Sequence, residues 1–251
     1  MPTFVHGKDS KVYLDEFDLT SYFTNADVTV TNETSEITSF GATSKSYLLG
    51  LADGTLSLSG LWSADTDGSD EELQAILGAA TTPLITVAEA AGTIGNRATV
   101  AKAHETNYTI SNPVADVVSI TADFQGSTDV VTNLTYGVTA GVQLTTGASI
   151  AYGSLGALAS VDNAASSANG GVAVLHVPTN SVAGGTTTVK VQHSTDDSTW
   201  ADLVTFTAVG ASTVTSQLSA VSGTVNRYLR VTASTAGSSG AITFMVSFAR
   251  F

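Results

Sequence analysis

The chain is predicted to be mainly β: an N-terminal β-sandwich or barrel with one flanking α-helix, followed by a C-terminal β-sandwich of jelly-roll or immunoglobulin-like kind. Three observations lead there. Apolar and polar residues alternate with period two in many short runs. Thr, Val, Ser and Gly fill a sequence in which only 12% of residues are charged, a composition of strands and turns. A single convincing stretch has helical spacing together with a start and a stop signal.

The elements follow in order. Lys11 to Leu14 is a short strand. Val28 to Thr31 alternates apolar and polar, as a half-buried strand does, and Thr55 to Leu58 does the same, with Gly60, Leu61 and Trp62 extending it. Pro83 to Val87 and Ala98 to Lys102 are further strands. Val118, Ile120, Ala122 and Phe124 share one face of another.

Between Thr31 and Gly54 lies a Thr/Ser/Gly-rich segment too long for a tight turn, and long loops in compact domains usually have a function. It holds Ile37, Phe40, Tyr47, Leu48 and Leu49, which a merely solvated loop does not need. Two readings stand. One is an extended hairpin arm, at about residues 31–54, whose apolar residues meet a neighbouring molecule. The other is a pair of ordinary core strands.

The helix begins at Ser69-Asp70-Glu71-Glu72, a capping box with Ser69 as cap and Glu72 three residues on. Acidic side chains suit the first turn of a helix. Leu73, Ile76 and Leu77 form an apolar stripe, and Gly78 ends the helix.

In the second half, strands are expected at Gly171 to Val177, Thr186 to His193, Leu203 to Thr207, Tyr228 to Thr232 and Ile242 to Phe248. Their spacing and Gly/Ser/Asn turns suit a sandwich. The expected organisation is a first domain over 1–130, a Gly/Ala/Ser-rich linker over 131–150 and a second domain over 151–251.

Charge divides the same way. Residues 1–130 hold eighteen Asp and Glu against five Lys and Arg, whereas 131–251 hold four of each. The net charge of −13 thus belongs to the first half. Such a surface repels phosphates, so nucleic acid slides past it without sticking.

Little points to catalysis. The four histidines have no partners at metal-ligand spacing, there is no cysteine, and no P-loop or nucleophile elbow occurs. Asp65, Asp67 and Asp70 fit a turn and helix cap better than a calcium loop. No enzyme activity, cofactor or metal is expected. No run of 18 apolar residues and no apolar leader is visible, so membrane insertion is not expected either.

One short motif stands out. Ser194-Thr195-Asp196-Asp197-Ser198-Thr199-Trp200 resembles the Asp-box turn, S-x-D-x-G-x-T-W, with Ser198 in the glycine position. There an Asp carboxylate accepts backbone N–H groups and the Trp packs against the turn. Ser194, Asp196, Thr199 and Trp200 are therefore read as structural, with Trp200 as a sugar-stacking platform the alternative.

The N-terminal half resembles the major tail tube protein of long-tailed bacteriophages. The resemblance is carried by the order of pieces: GKDSKVYLDEFDLTSYF (Gly7 to Phe23), DVTVTNETSEITSFG (Asp27 to Gly41), SKSYLLGLADGTLSLSGLW (Ser44 to Trp62), DEELQAILG (Asp70 to Gly78) and strands through Phe124. It implies a structural virion protein, assembled in the host bacterial cytoplasm, that stacks as hexameric rings into a tube. The arm reaches the adjacent ring, and DNA passes an acidic lumen on ejection. It also implies contacts with tape-measure, tail-terminator and distal tail proteins. The extra C-terminal sandwich would then decorate the tail exterior and make weak glycan contacts. The rival readings are a carbohydrate-binding, adhesin-type β-protein and another virion part built on related sandwiches.

Overall fold

The computed structural model describes residues 6–90, 93–127 and 137–251. In chain order the strands are β1 (Lys11–Leu14), β2 (Phe17–Asp18), β3 (Phe23–Glu36), β4 (Tyr47–Leu61), β5 (Leu84–Ala88), β6 (Arg97–Ser111), β7 (Ser119–Gly126), β8 (Val138–Gln143), β9 (Ser149–Ala151), β10 (Val161–Asp162), β11 (Gly171–Asn180), β12 (Thr186–Ser194), β13 (Ala201–Thr205), β14 (Val209–Gly210), β15 (Thr215–Val221), β16 (Tyr228–Thr235) and β17 (Ala241–Arg250). The helix α1 spans Ser69–Ile76. The chain is thus mainly β, as its alternation and composition predict.

Long β6 organises the first half. Its start pairs with β5 and β8, and from Ala103 onward it pairs with β7. A register shift between Glu105 and Asn107 bends it at the change. β7 pairs in turn with β4, and β4 with β3, so β6-β7-β4-β3 forms a four-stranded antiparallel layer. The inward side chains of this layer (Leu56, Leu58, Ile120, Ala122 and Phe124) meet Leu14, Ile85 and Val87 from β1 and β5, with Leu73 of α1. Each such apolar side chain stabilises the fold by roughly 1.5–3 kcal/mol on burial.

The helix starts one residue earlier than its capping box suggests. Gly68 is the N-cap, and no side chain caps the helix. Ser69 Oγ instead donates to Leu61 O at 2.9 Å and accepts from Ser63 N at 3.1 Å, which ties α1 to the end of β4. Tertiary anchoring has won over the local cap. The expected stop holds: Gly78 follows the last turn with φ +71°, a left-handed conformation that suits glycine.

In the second half β11 and β17, flanked by β15 and β9, face a separate sheet of order β10-β16-β12-β13, with β14 on β12. Ala173, Leu175, Val177, Phe244, Val246 and Phe248 pack there against Val189, Val191, Leu229 and Val231. β15, Thr-Ser-Gln-Leu-Ser-Ala-Val, has too little alternation to predict a strand from sequence.

The expected linker is a difference of more consequence. Residues 131–136 of that stretch lie outside the described residues, but 138–143 and 149–151 are strands β8 and β9. β8 pairs on one side with β6 and on the other with β17. The larger sheet therefore runs on from one half into the other. Gly141 makes this close approach feasible, since a Cβ there would lie 2.6 Å from Phe248 O. A six-residue strand of Val, Thr, Ala, Gly, Val and Gln carries too little apolar contrast to be told from a linker.

Candidate assembly surfaces

The outer face of the four-stranded layer follows from its register. Thr31, Thr29, Asp27 and Asn25 of β3 stand opposite Asp53, Thr55, Ser57 and Ser59 of β4. These adjoin Gln125, Asp123 and Thr121 of β7, and then Asn107 and Thr109 of β6. Every one is small or polar and three are aspartates; on β6 the row also includes His104, opposite Gln125, its one basic side chain. Period-two alternation puts this row on the face opposite Leu56, Leu58 and Phe124.

Side-chain hydrogen bonds knit the row. Asp123 accepts from Ser57 Oγ at 2.6 Å and from Asn107 Nδ2 at 2.9 Å. These two bonds hold its carboxyl below the usual range, so it stays ionised. Asp27 accepts from Asn25 Nδ2 at 2.7 Å, and Gln125 Nε2 donates to Asp53. The carboxylates are oriented by neutral donors, and among the described residues no ion pair offsets their charge.

The layer has two open edges. Among the described residues β3 pairs only with β4, and β6 beyond Ala103 pairs only with β7. Open edges of this length are templates for pairing with another chain. The strands alternate in direction across the layer, so β3 of a second copy beside β6 would continue it antiparallel.

At one end β3 and β4 run past the layer as a two-stranded ribbon, paired as far as Glu36↔Tyr47. Residues 31–51 are exposed throughout. Ile37, Phe40, Tyr47, Leu48 and Leu49 all lie on this ribbon or its tip, and Phe40 is wholly exposed. Of the two sequence readings, the core-strand pair is therefore not what forms. Leu51, also exposed at 78%, extends the apolar set by alternating with Tyr47 and Leu49 along β4. Gly41 with φ +88° turns the tip, and Lys45 Nζ lies 3.0 Å from Glu36 Oε2.

The Asp-box-like turn forms as the motif suggests. Asp196 Oδ1 accepts from Ser198 N at 3.0 Å, Thr199 N at 2.8 Å and Ser194 Oγ at 2.9 Å. These donors push its carboxyl far down. Trp200 is half-buried and takes the Arg230 guanidinium over its ring at 4.1 Å. Arg230 Nε donates to Gln192, Gln192 Nε2 to Asp202, and Lys190 Nζ to Asp202. One ring face of Trp200 is thus occupied by the protein itself. Arg227 forks onto Asp162 through two bonds of 2.6 Å.

Among the described residues no three His, Asp or Glu side chains group as a metal site, and no helix is long and apolar enough to cross a membrane. No protein-family model matches the chain, and no curated protein does. The solved structures it is similar to include tail structures. One is a chain in the virion of a native gene transfer agent particle, 19% identical, covering 50% of this chain and 96% of that one at a TM-score of 0.41. Another is the SPP1 tail tube, 11% identical, covering 50% and 81% at 0.41. A third is the SPP1 Dit protein, described as a hub of the adsorption apparatus in phages of Gram-positive hosts, 13% identical, covering 96% and 99% at 0.34.

Proposed function

We propose that this protein is a structural, non-enzymatic subunit of a bacteriophage tail tube, and that the face bearing Asp27, Asp53 and Asp123 lines the lumen. The observation that carries the reading is the coincidence, in one layer, of an acidic face without Lys or Arg and two open edges. Edge-to-edge pairing of β6 with β3 of the next copy is heterologous, so it closes into a ring when the rotation allows. In a hexameric ring roughly 24 strands at about 4.8 Å each give a circumference near 115 Å, or about 37 Å across the backbone. That bore admits a DNA duplex. Its carboxylates repel phosphate, so DNA moves through on ejection without being held.

The arm, with Ile37, Phe40, Tyr47, Leu48 and Leu49, makes the contact between stacked rings, where its apolar side chains leave water. Tape-measure, terminator and distal tail proteins are the partners at the tube's interior and ends. The C-terminal sandwich projects outward as a display module. A glycan there would stack on the Trp200 face that Arg230 leaves free. Full-length protein on a glycan array, with Trp200→Ala as control, tests that contact.

Negative-stain electron microscopy of the concentrated protein tests the main reading. Rings or hollow filaments are expected. A discrete small oligomer at all concentrations would favour the adhesin-type alternative.

A further inference from the structure

The apolar arm has a counterpart at the far end of the same layer. β4 leads away from the arm to Leu61, and the pair Leu61↔Ser119 brings the β6–β7 turn, residues 112–118, to that end. Trp62 N donates to Val118 O at 3.1 Å, which holds Trp62 beside the turn. Leu61, Trp62, Ile110, Val114 and Val117 are all exposed there, Val114 wholly so. Isolated exposed apolar residues are ordinary, but here Trp62, Val114 and Val117 lie at the end of the layer, with Leu61 on its outer face and Ile110, opposite buried Ile120, on its inner one, and together they mark this end as a contact surface. β4 separates the two groups by roughly 45 Å at about 3.3 Å per residue.

The arm's tip differs in charge from the far end, although Glu33, Glu36 and Asp53 lie along the arm behind that tip. Residues 37–46 carry Lys45 and no acid, whereas 61–72 and 112–118 carry Asp65, Asp67, Asp70, Glu71, Glu72 and Asp116 and no base. Lys45 is tied to Glu36 in the single chain, and against the far-end carboxylates it would gain further partners. Two arms meeting tip to tip would instead bring Lys45 against Lys45.

We propose that the far-end rim around Trp62, Val114 and Val117 is the surface that receives the arm of a second copy. The inference rests on the tube reading and adds the acceptor to it. Arm and acceptor lie at opposite ends of one layer, so each copy offers one of each and the contact repeats along an axis without closing. Neither surface is complete without the other copy.

Three full-length forms test this: the unaltered protein, an arm variant (Leu48→Asp with Leu49→Asp) and an acceptor variant (Val114→Asp with Val117→Asp). All four altered residues are exposed, and unchanged circular dichroism melting verifies that each form folds. In sedimentation velocity the unaltered protein is expected to give long polymers and each variant alone none. An equimolar mixture of the two variants is expected to give assemblies two units thick, because each variant keeps one live end. Polymerisation of the acceptor variant at the unaltered level, with the arm variant inactive, would overturn the acceptor assignment and leave the tube reading standing. Absence of polymers from the unaltered protein at every concentration would overturn both. The chain has no cysteine, so Phe40→Cys with Val114→Cys supplies a clean second readout. Oxidised polymers should give a ladder of chain-to-chain disulfides on a non-reducing gel, and monomer alone would count against the pairing.

Discussion

His176 Nε2 lies 2.8 Å from Thr86 Oγ1, and the two residues belong to opposite halves of the chain. His176 Nδ1 lies 2.5 Å from the Asp15 carbonyl. A carbonyl only accepts, so Nδ1 carries the proton and Nε2 accepts from the Thr86 hydroxyl. Tyr13 stacks on the imidazole with ring centroids 5.6 Å apart. Asp15 also accepts from Leu84 N at 2.9 Å and Ser216 Oγ at 3.3 Å, which adds β15 to the node. Together with β8 this buried group joins the halves.

Burial pushes the His176 imidazole down to about 4, so the folded protein holds it neutral. The unfolded chain binds a proton there near pH 6.5, and this contribution to stability is lost as the pH falls from about 6.5 through 4. The loss is at most about 3 kcal/mol. His176→Leu should remove that slope and cost roughly 1–3 kcal/mol at pH 7 by leaving the Asp15 carbonyl without its donor. Urea unfolding between pH 4 and 7 measures both. An unchanged slope in the variant would assign it to other groups, with Asp15 and Asp18 the carboxylates nearest the node.

Glu105 gives a slope of opposite sign. It sits at the β6 bulge opposite Phe124, 5% exposed, and neither carboxyl oxygen has a hydrogen-bond partner among the described residues. Burial pushes its carboxyl up to about 8. The folded state therefore binds a proton that the unfolded state releases above about 4.5. The stabilisation is full below that pH and is lost as the pH rises through 8. Glu105→Gln should flatten the alkaline side of the stability profile and raise the melting temperature at pH 9. A variant that melts lower than the parent at pH 9 would contradict the buried, neutral assignment.

If the face bearing Asp27, Asp53 and Asp123 lines a tube, as proposed, reversing its charge should make that tube retain DNA. Assembled Asp27→Lys with Asp53→Lys protein is expected to retain short duplex DNA in a pelleting assay at low salt, and the unaltered tube is not. Each added phosphate contact should steepen the dependence of log affinity on log salt by about 0.9. Equal retention by both would mean that this face does not meet DNA.

Asp196→Ala should open the turn that places Trp200 under Arg230, because Ser198 N, Thr199 N and Ser194 Oγ lose a shared acceptor. A lower melting temperature is expected, with a changed Trp fluorescence spectrum and unaltered polymerisation. Impaired polymerisation would draw the C-terminal sandwich into the inter-ring contact.

The amino-acid sequence alone determined the β class, the helix and its glycine stop, the division of charge and the apolar character of the arm. All of these are local: period-two alternation, turn residues and composition act over a few neighbours. Only the tertiary structure decided which face each acidic side chain takes. The register shifts near Asn32 and Glu105 reset the alternation, and a one-residue slip moves a side chain to the other face. It also decided that β8 and His176 join the halves, because Gly141 meets Phe248 and His176 meets Thr86 across separations that leave no local trace. A strand's partner is chosen by burial on both of its sides at once, and that choice exists only after the chain has collapsed.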